Sequence, residues 1–103
     1  MRSVAQALED YVKGVEFPDT SPFEVLELLD TRSRLAEHEA ELTPKDRERL
    51  EVADDVFLQN APSFLDSLSE LGSLAELRAR AGAPCSHWWW YLDKLNHHQR
   101  LAA

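Results

Sequence analysis

Ser86-His87-Trp88-Trp89-Trp90-Tyr91-Leu92-Asp93-Lys94-Leu95 holds all three tryptophans of the chain and one of its two tyrosines. A buried aromatic side chain of this size removes about 150–250 Å² from water, so the decapeptide decides what kind of core can form. Adjacent aromatics fan out by about 100° per residue on a helix and alternate sides on a strand, so four in a row cannot share one face. Helical spacing puts Trp88, Tyr91, Leu92 and Leu95 on one apolar stripe with Trp89 at its edge. Trp90 then points the other way, among Asp93, Lys94 and His97. The segment is therefore expected to dock as a helical plug, capped by Ser86, in a groove left by the preceding helices. An outward Trp90, with Trp89 and Lys94 beside it, is the expected partner-binding site, because exposed tryptophans make strong interface anchors. Trp90 and Lys94, four residues apart, also suit a cation–π pair worth about 0.5–1 kcal/mol.

Upstream, the groove is built from segments with clear start signals. Val4, Ala7, Leu8, Tyr11, Val12 and Val15 recur at helical spacing behind Ser3, and Gly14 can close that helix in the left-handed conformation. Ser21-Pro22-Phe23-Glu24 and Thr43-Pro44-Lys45-Asp46 each place a hydroxyl cap, a proline in the first turn and an acid at the third helical position. They open a second helix running to about Glu39 or Glu41, with Arg32 to Glu41 projecting over solvent, and a third running to about Asn60. The short Leu42-Thr43 hinge predicts that these two form a long antiparallel hairpin. Pro62 starts or kinks a helix carrying Phe64, Leu65, Leu68 and Leu71, and Ser73 to Glu76 caps another that ends at Gly82. The fold class is all-α: a small bundle of five or six helices in one domain over residues 1–103, with residues 96–103 expected to fray. The expected core is Val4, Leu8, Tyr11, Phe23, Leu26, Leu29, Leu50, Phe57, Phe64, Leu68, Trp88, Leu92 and Leu95.

The net charge of -8 is uneven: residues 1–60 carry 15 acidic against 7 basic side chains, and residues 61–103 carry four of each. Nucleic-acid binding needs a basic footprint, and anionic membranes attract polybasic segments, so both partner classes are disfavoured. A basic protein partner fits the acidic front. One cysteine, Cys85, allows no intrachain disulfide and suits a reducing cytoplasm. No apolar run reaches the about 20 residues needed to span a bilayer.

Chemistry-bearing groups are sparse. Cys85 and His87, with His97 and His98 further on, are zinc-ligand types, but their spacing matches no standard site and no metal or other cofactor is expected. His87 is the only base in local reach of a Cys85 nucleophile. His38, between Glu37 and Glu39, reads as a surface histidine. Glu24-x-x-Glu27 and Glu51-x-x-Asp54 each set two carboxylates one turn apart, and four carboxylates converging between helices can hold Mg²⁺ for phosphate chemistry. The segment Glu51-Val52-Ala53-Asp54-Asp55-Val56-Phe57-Leu58 resembles the Glu-x-x-Asp helix of the all-α nucleotide pyrophosphohydrolases related to MazG, which also carry an upstream Glu-x-x-Glu. That resemblance implies a Mg²⁺-dependent pyrophosphohydrolase using Glu24, Glu27, Glu51 and Asp54, with Arg32 and Arg34 as the nearest cations for phosphate. In a tight antiparallel hairpin, however, Glu24 and Glu27 meet the end of the third helix, beyond Asp54. The leading expectation is thus a small acidic cytosolic protein-interaction domain without catalytic activity, antitoxin-like or adaptor-like, binding a basic partner. The pyrophosphohydrolase and a homodimeric module built on the projecting half of the second helix are the alternatives.

Overall fold

The computed structural model of the chain describes residues 3–17 and 21–94. Among these lie five α-helices: α1 Val4–Gly14, α2 Pro22–Glu37, α3 Pro44–Gln59, α4 Ala61–Leu68 and α5 Leu74–Ala81. Short 3-10 turns cover Glu39–Glu41 and Trp88–Tyr91, and no strand occurs among the described residues, so the fold is all-α. None of these helices is long and apolar enough to cross a membrane.

Local chemistry explains where the helices begin. Ser3, Ser21, Thr43 and Ser73 each accept a hydrogen bond from the amide three residues on, at 3.1, 3.3, 3.1 and 3.2 Å, which satisfies one of the orphan donors of a first turn. Gly82 ends α5 in the left-handed region at φ 65°. Two expected end signals fail. Gly14 does not terminate α1 by turning left-handed; it is the last helical residue, and a Cβ there would lie 2.6 Å from Leu28 Cδ1. Its role is to let α1 and α2 approach closely. Ser86 makes no cap; the position before the Trp turn is His87, which makes no side-chain capping bond.

Helix α1 packs on α2 and α3, and α4 packs on the same two helices. Going round the core, the order is α1, α2, α4, α3, which sets α2 and α3 across from each other. The expected α2–α3 hairpin is not among the close pairings. The physical reason is the connector: residues 38–43 include a 3-10 turn, so the link is longer than a two-residue hinge. The Trp turn packs on α5 and α2.

Leu8, Tyr11, Leu29, Leu50, Phe57, Phe64, Leu68 and Leu92 are buried as expected, and Val4, Leu26 and Trp88 pack half-buried against them. Phe57 is the aromatic hub, with ring centroids 5.1 Å from Phe64, 5.7 Å from Trp88 and 6.2 Å from Tyr11. Phe23 is not core: it is 70 % exposed. The inward stripe of α2 is Val25, Leu28, Leu29, Arg32 and Leu35, and Phe23, two residues before Val25, falls about 200° away from it. Nor does the second half of α2 project, because Thr31, Arg32 and Leu35 are buried. The expectations for Leu95 and for fraying at 96–103 lie outside the described residues.

Candidate functional site

The inward face of α2 carries two polar side chains, Arg32 and Ser33, that tie the Trp turn to α1 and α3. Arg32 grips Asp54 of α3 with two parallel bonds, Nε to Oδ1 at 2.9 Å and Nη2 to Oδ2 at 3.0 Å. Tyr11 of α1 donates to the same Asp54 Oδ1 at 2.6 Å. Only 10 % of the Arg32 side chain and 18 % of the Asp54 side chain reach solvent, so this is a largely desolvated, bidentate pair. The guanidinium also lies over the Trp89 ring, 4.2 Å from its centroid. Burial, followed by the adjacent Asp54 carboxylate, pushes the Tyr11 phenol far above its ordinary pKa, so it serves only as a neutral donor.

Ser33 gathers the Trp turn. Its Oγ accepts from Trp89 Nε1 and from Trp90 Nε1, each at 2.9 Å, and lies 3.1 Å from His87 Nδ1. A hydroxyl has one proton and two lone pairs. Both lone pairs meet indole donors, so the hydroxyl proton is the one available for His87 Nδ1. The imidazole is then the tautomer protonated at Nε2, and its ring stacks on Trp89 at 4.6 Å. A Ser–His contact of this length suggests an activated nucleophile. Here the lone pairs that would attack are already engaged, which makes the contact architectural.

These bonds account for the tryptophans. The segment opens as a 3-10 turn, with about three residues per turn, so residue Trp89 eclipses Leu92 rather than sitting at a stripe edge. Trp89 and Trp90 are each 2 % exposed, and Trp88 is half-buried. The outward Trp90 is therefore corrected: its indole N–H needs Ser33, and neither Trp89 nor Trp90 presents its ring at the surface. Lys94 is exposed. The cation–π partners in this region are arginines: Arg32 over Trp89, and Arg78 over Tyr91 at 4.4 Å. Arg78 also donates from Nη1 to the Trp90 carbonyl at 3.0 Å and to Asp93 Oδ1 at 2.8 Å, clamping the turn to α5.

The remaining candidates separate. Both oxygens of Asp54 are occupied by Arg32 and Tyr11, while Glu24, Glu27 and Glu51 are exposed. Among the described residues, no group of three or more His, Cys, Asp or Glu side chains is placed to hold a metal ion. The donor set does not fit the Mg²⁺ site that the pyrophosphohydrolase resemblance implied, and Arg32 is spent on Asp54 rather than offered to a phosphate. Cys85 is free and exposed, His87 faces Ser33, and His97 and His98 lie outside the described residues. His38 bonds Glu41 through Nδ1 at 2.7 Å on the surface.

What the chain does leave open is apolar surface. Phe17 and Phe23 are 61 % and 70 % exposed, and Val52 is 63 % exposed. Phe17 lines a cleft of about 280 Å³ between α1 and α2, floored by Gly14 and Leu28 and edged by Asp10, Lys13 and Glu24. A second groove, about 360 Å³, runs between α1 and α3 over Val12, Val15, Val52 and Val56. Sequence reasoning missed both. The 100° step that puts Val25 inward already turns Phe23 outward, so that signal was present. No family model, curated protein or solved structure matches this chain.

Proposed function

We propose that this chain is a non-catalytic protein-interaction domain that takes a basic partner on the face shared by α1 and α2. The observation that carries the reading is the pair of exposed phenylalanines beside acidic side chains. Large aromatics at the surface, ringed by polar groups, are the composition of an interface hot spot. Phe17 lines the cleft edged by Asp10 and Glu24, and Phe23 precedes Glu24 on the outer side of α2. Glu27 continues the acidic row one turn further on, and Asp30 follows two turns on, at the edge of the groove beside the Trp turn. Burial and then the neighbouring Glu27 raise the Asp30 carboxyl above its ordinary pKa, so added positive charge nearby would favour its ionised form. A lysine or arginine from a partner would supply it. The excess of acid in residues 1–60 gives the same sign at longer range and would speed encounter with a cationic protein. Neutralisation of a basic toxin, or an adaptor role, in a reducing cytoplasm is the concrete form of this activity.

The test captures partners from native lysate with the wild-type chain, Phe17→Ala/Phe23→Ala, and Glu27→Gln/Asp30→Asn. A basic protein held by the wild type, lost from both variants and released by salt is the expected result. Equal retention by all three chains removes the α1–α2 face from the proposal. Turnover of a nucleoside triphosphate panel with Mg²⁺, abolished in Glu51→Ala, overturns the non-catalytic reading.

A further inference from the structure

The geometry points to a second, separate surface: the outward side of α3 is an antiparallel docking face for another copy of this chain. This goes beyond the basic-partner reading, since it uses a different helix and a partner of the same sequence. Val52 sits at the middle of α3, 63 % exposed, on the rim of the groove that α3 makes with α1. Residues three, four and seven positions from Val52 share its side of the helix. To one side these are Arg49, Glu48 and Lys45; to the other they are Asp55, Val56 and Gln59. A two-fold axis through Val52 runs a second α3 antiparallel to the first, so a residue n places before Val52 meets the residue n places after it on the copy. Arg49 then faces Asp55 of the copy, and Asp55 faces Arg49 of the copy, giving two symmetric ion pairs around a Val52–Val52 contact. Glu48 lays its methylenes along Val56 of the copy, and Lys45 meets Gln59.

The charges on the isolated chain allow this. Asp55 is exposed and takes part in no ion pair among the described residues. Arg49 holds Glu9 of α1 through Nη2 at 2.6 Å, with 38 % of its side chain exposed, so the other edge of its planar fork remains open to a carboxylate. The half of the face before Val52 carries the two cations and the half after it carries the unpaired acid. A parallel arrangement would set like against like, so the pattern selects the antiparallel one. One helix face with its flanking groove buries less than the about 800 Å² per partner of a standard interface, so the dimer is a reversible, concentration-dependent one.

Sedimentation equilibrium of the full chain over a wide concentration range tests the proposal, with circular dichroism confirming that each variant is folded. The wild type is expected to show a monomer–dimer equilibrium. Val52→Asp, a change at an exposed position, shifts it to monomer. Arg49→Asp and Asp55→Arg each weaken association by about tenfold or more, because each sets like charges face to face twice. The double reversal, Arg49→Asp with Asp55→Arg, restores it, and an equimolar mixture of the two single variants associates as a heterodimer, because both of its facing positions then pair an acid with a base. Wild-type chain that stays monomeric throughout, or a dimer indifferent to Val52→Asp, overturns the proposal. A dimer weakened by both single reversals but not rescued by the pair overturns the antiparallel register.

Discussion

Replacing Asp54 by alanine should be among the most damaging single changes available to this protein. The substitution removes the only ion-pair partner, among the described residues, of an arginine whose residue is 8 % exposed, and it also takes away the acceptor of the Tyr11 hydroxyl. Breaking a buried, hydrogen-bonded charge pair from one side typically costs about 3–5 kcal/mol, because the surviving charge is stranded away from water. A domain of this size has about 5–15 kcal/mol in total, so the variant loses a large fraction of its stability. With a urea slope of about 1.5 kcal/mol per molar, the midpoint falls by about 2–3 M. Tryptophan fluorescence is a suitable probe, since Arg32 lies over Trp89. Asp55→Ala, one residue away but exposed, should change stability by no more than about 0.5 kcal/mol. Arg32→Met combined with Asp54→Leu should recover much of the loss, since no lone charge is left behind. A cost below about 1 kcal/mol for Asp54→Ala would refute the account of Asp54 as a structural anchor, and would return its carboxylate to the list of groups free for other chemistry.

Three further outcomes are expected. Ser33→Ala leaves two buried indole N–H groups without an acceptor, each costing about 1–3 kcal/mol, and should loosen the Trp turn enough to raise acrylamide quenching of the folded state. Because burial and Glu27 raise the Asp30 carboxyl in the folded state, its ionisation works against folding: stability is lost as pH climbs from the unfolded carboxyl's pKa through the raised one. Asp30→Asn should therefore raise the melting temperature at pH 7 and leave it unchanged near pH 3, read by calorimetry. Tyr11 has a folded pKa far above its unfolded value of about 10, so its contribution is complete below pH 10 and drains away as pH rises beyond it. Alkaline unfolding should begin above about pH 10 and coincide with the appearance of the Tyr11 phenolate absorbance, and Tyr11→Phe should blunt that dependence.

The helices were readable because caps and periodicity are local properties. Ser3, Ser21, Thr43 and Ser73 announce their helices within four residues, and each makes the bond its position implies. The core positions of α3 and α4 followed from spacing alone. What could not be read was set by partners distant in the chain. Arg32 looks like a solvated charge until Asp54, 22 residues on, and Trp89 are brought beside it. Gly14 looks like a helix stop until Leu28 is placed against it. The run of tryptophans was identified correctly as the segment that docks, yet its inner and outer sides depended on opening as a 3-10 turn. That in turn depends on Ser33, 56 and 57 residues before the two indoles it binds. The order of helices round the core was hidden for a similar reason, because the 3-10 turn over Glu39–Glu41 lengthens the α2–α3 connection without announcing itself in composition.

The three-way bond at Ser33 also has a bearing on how the protein is made. A ribosome delivers residue 33 long before residues 87 to 90, so Ser33 precedes by more than fifty residues the histidine and the two indoles it binds. The contacts that fasten the Trp turn to α2 can close only after that late stretch has been translated.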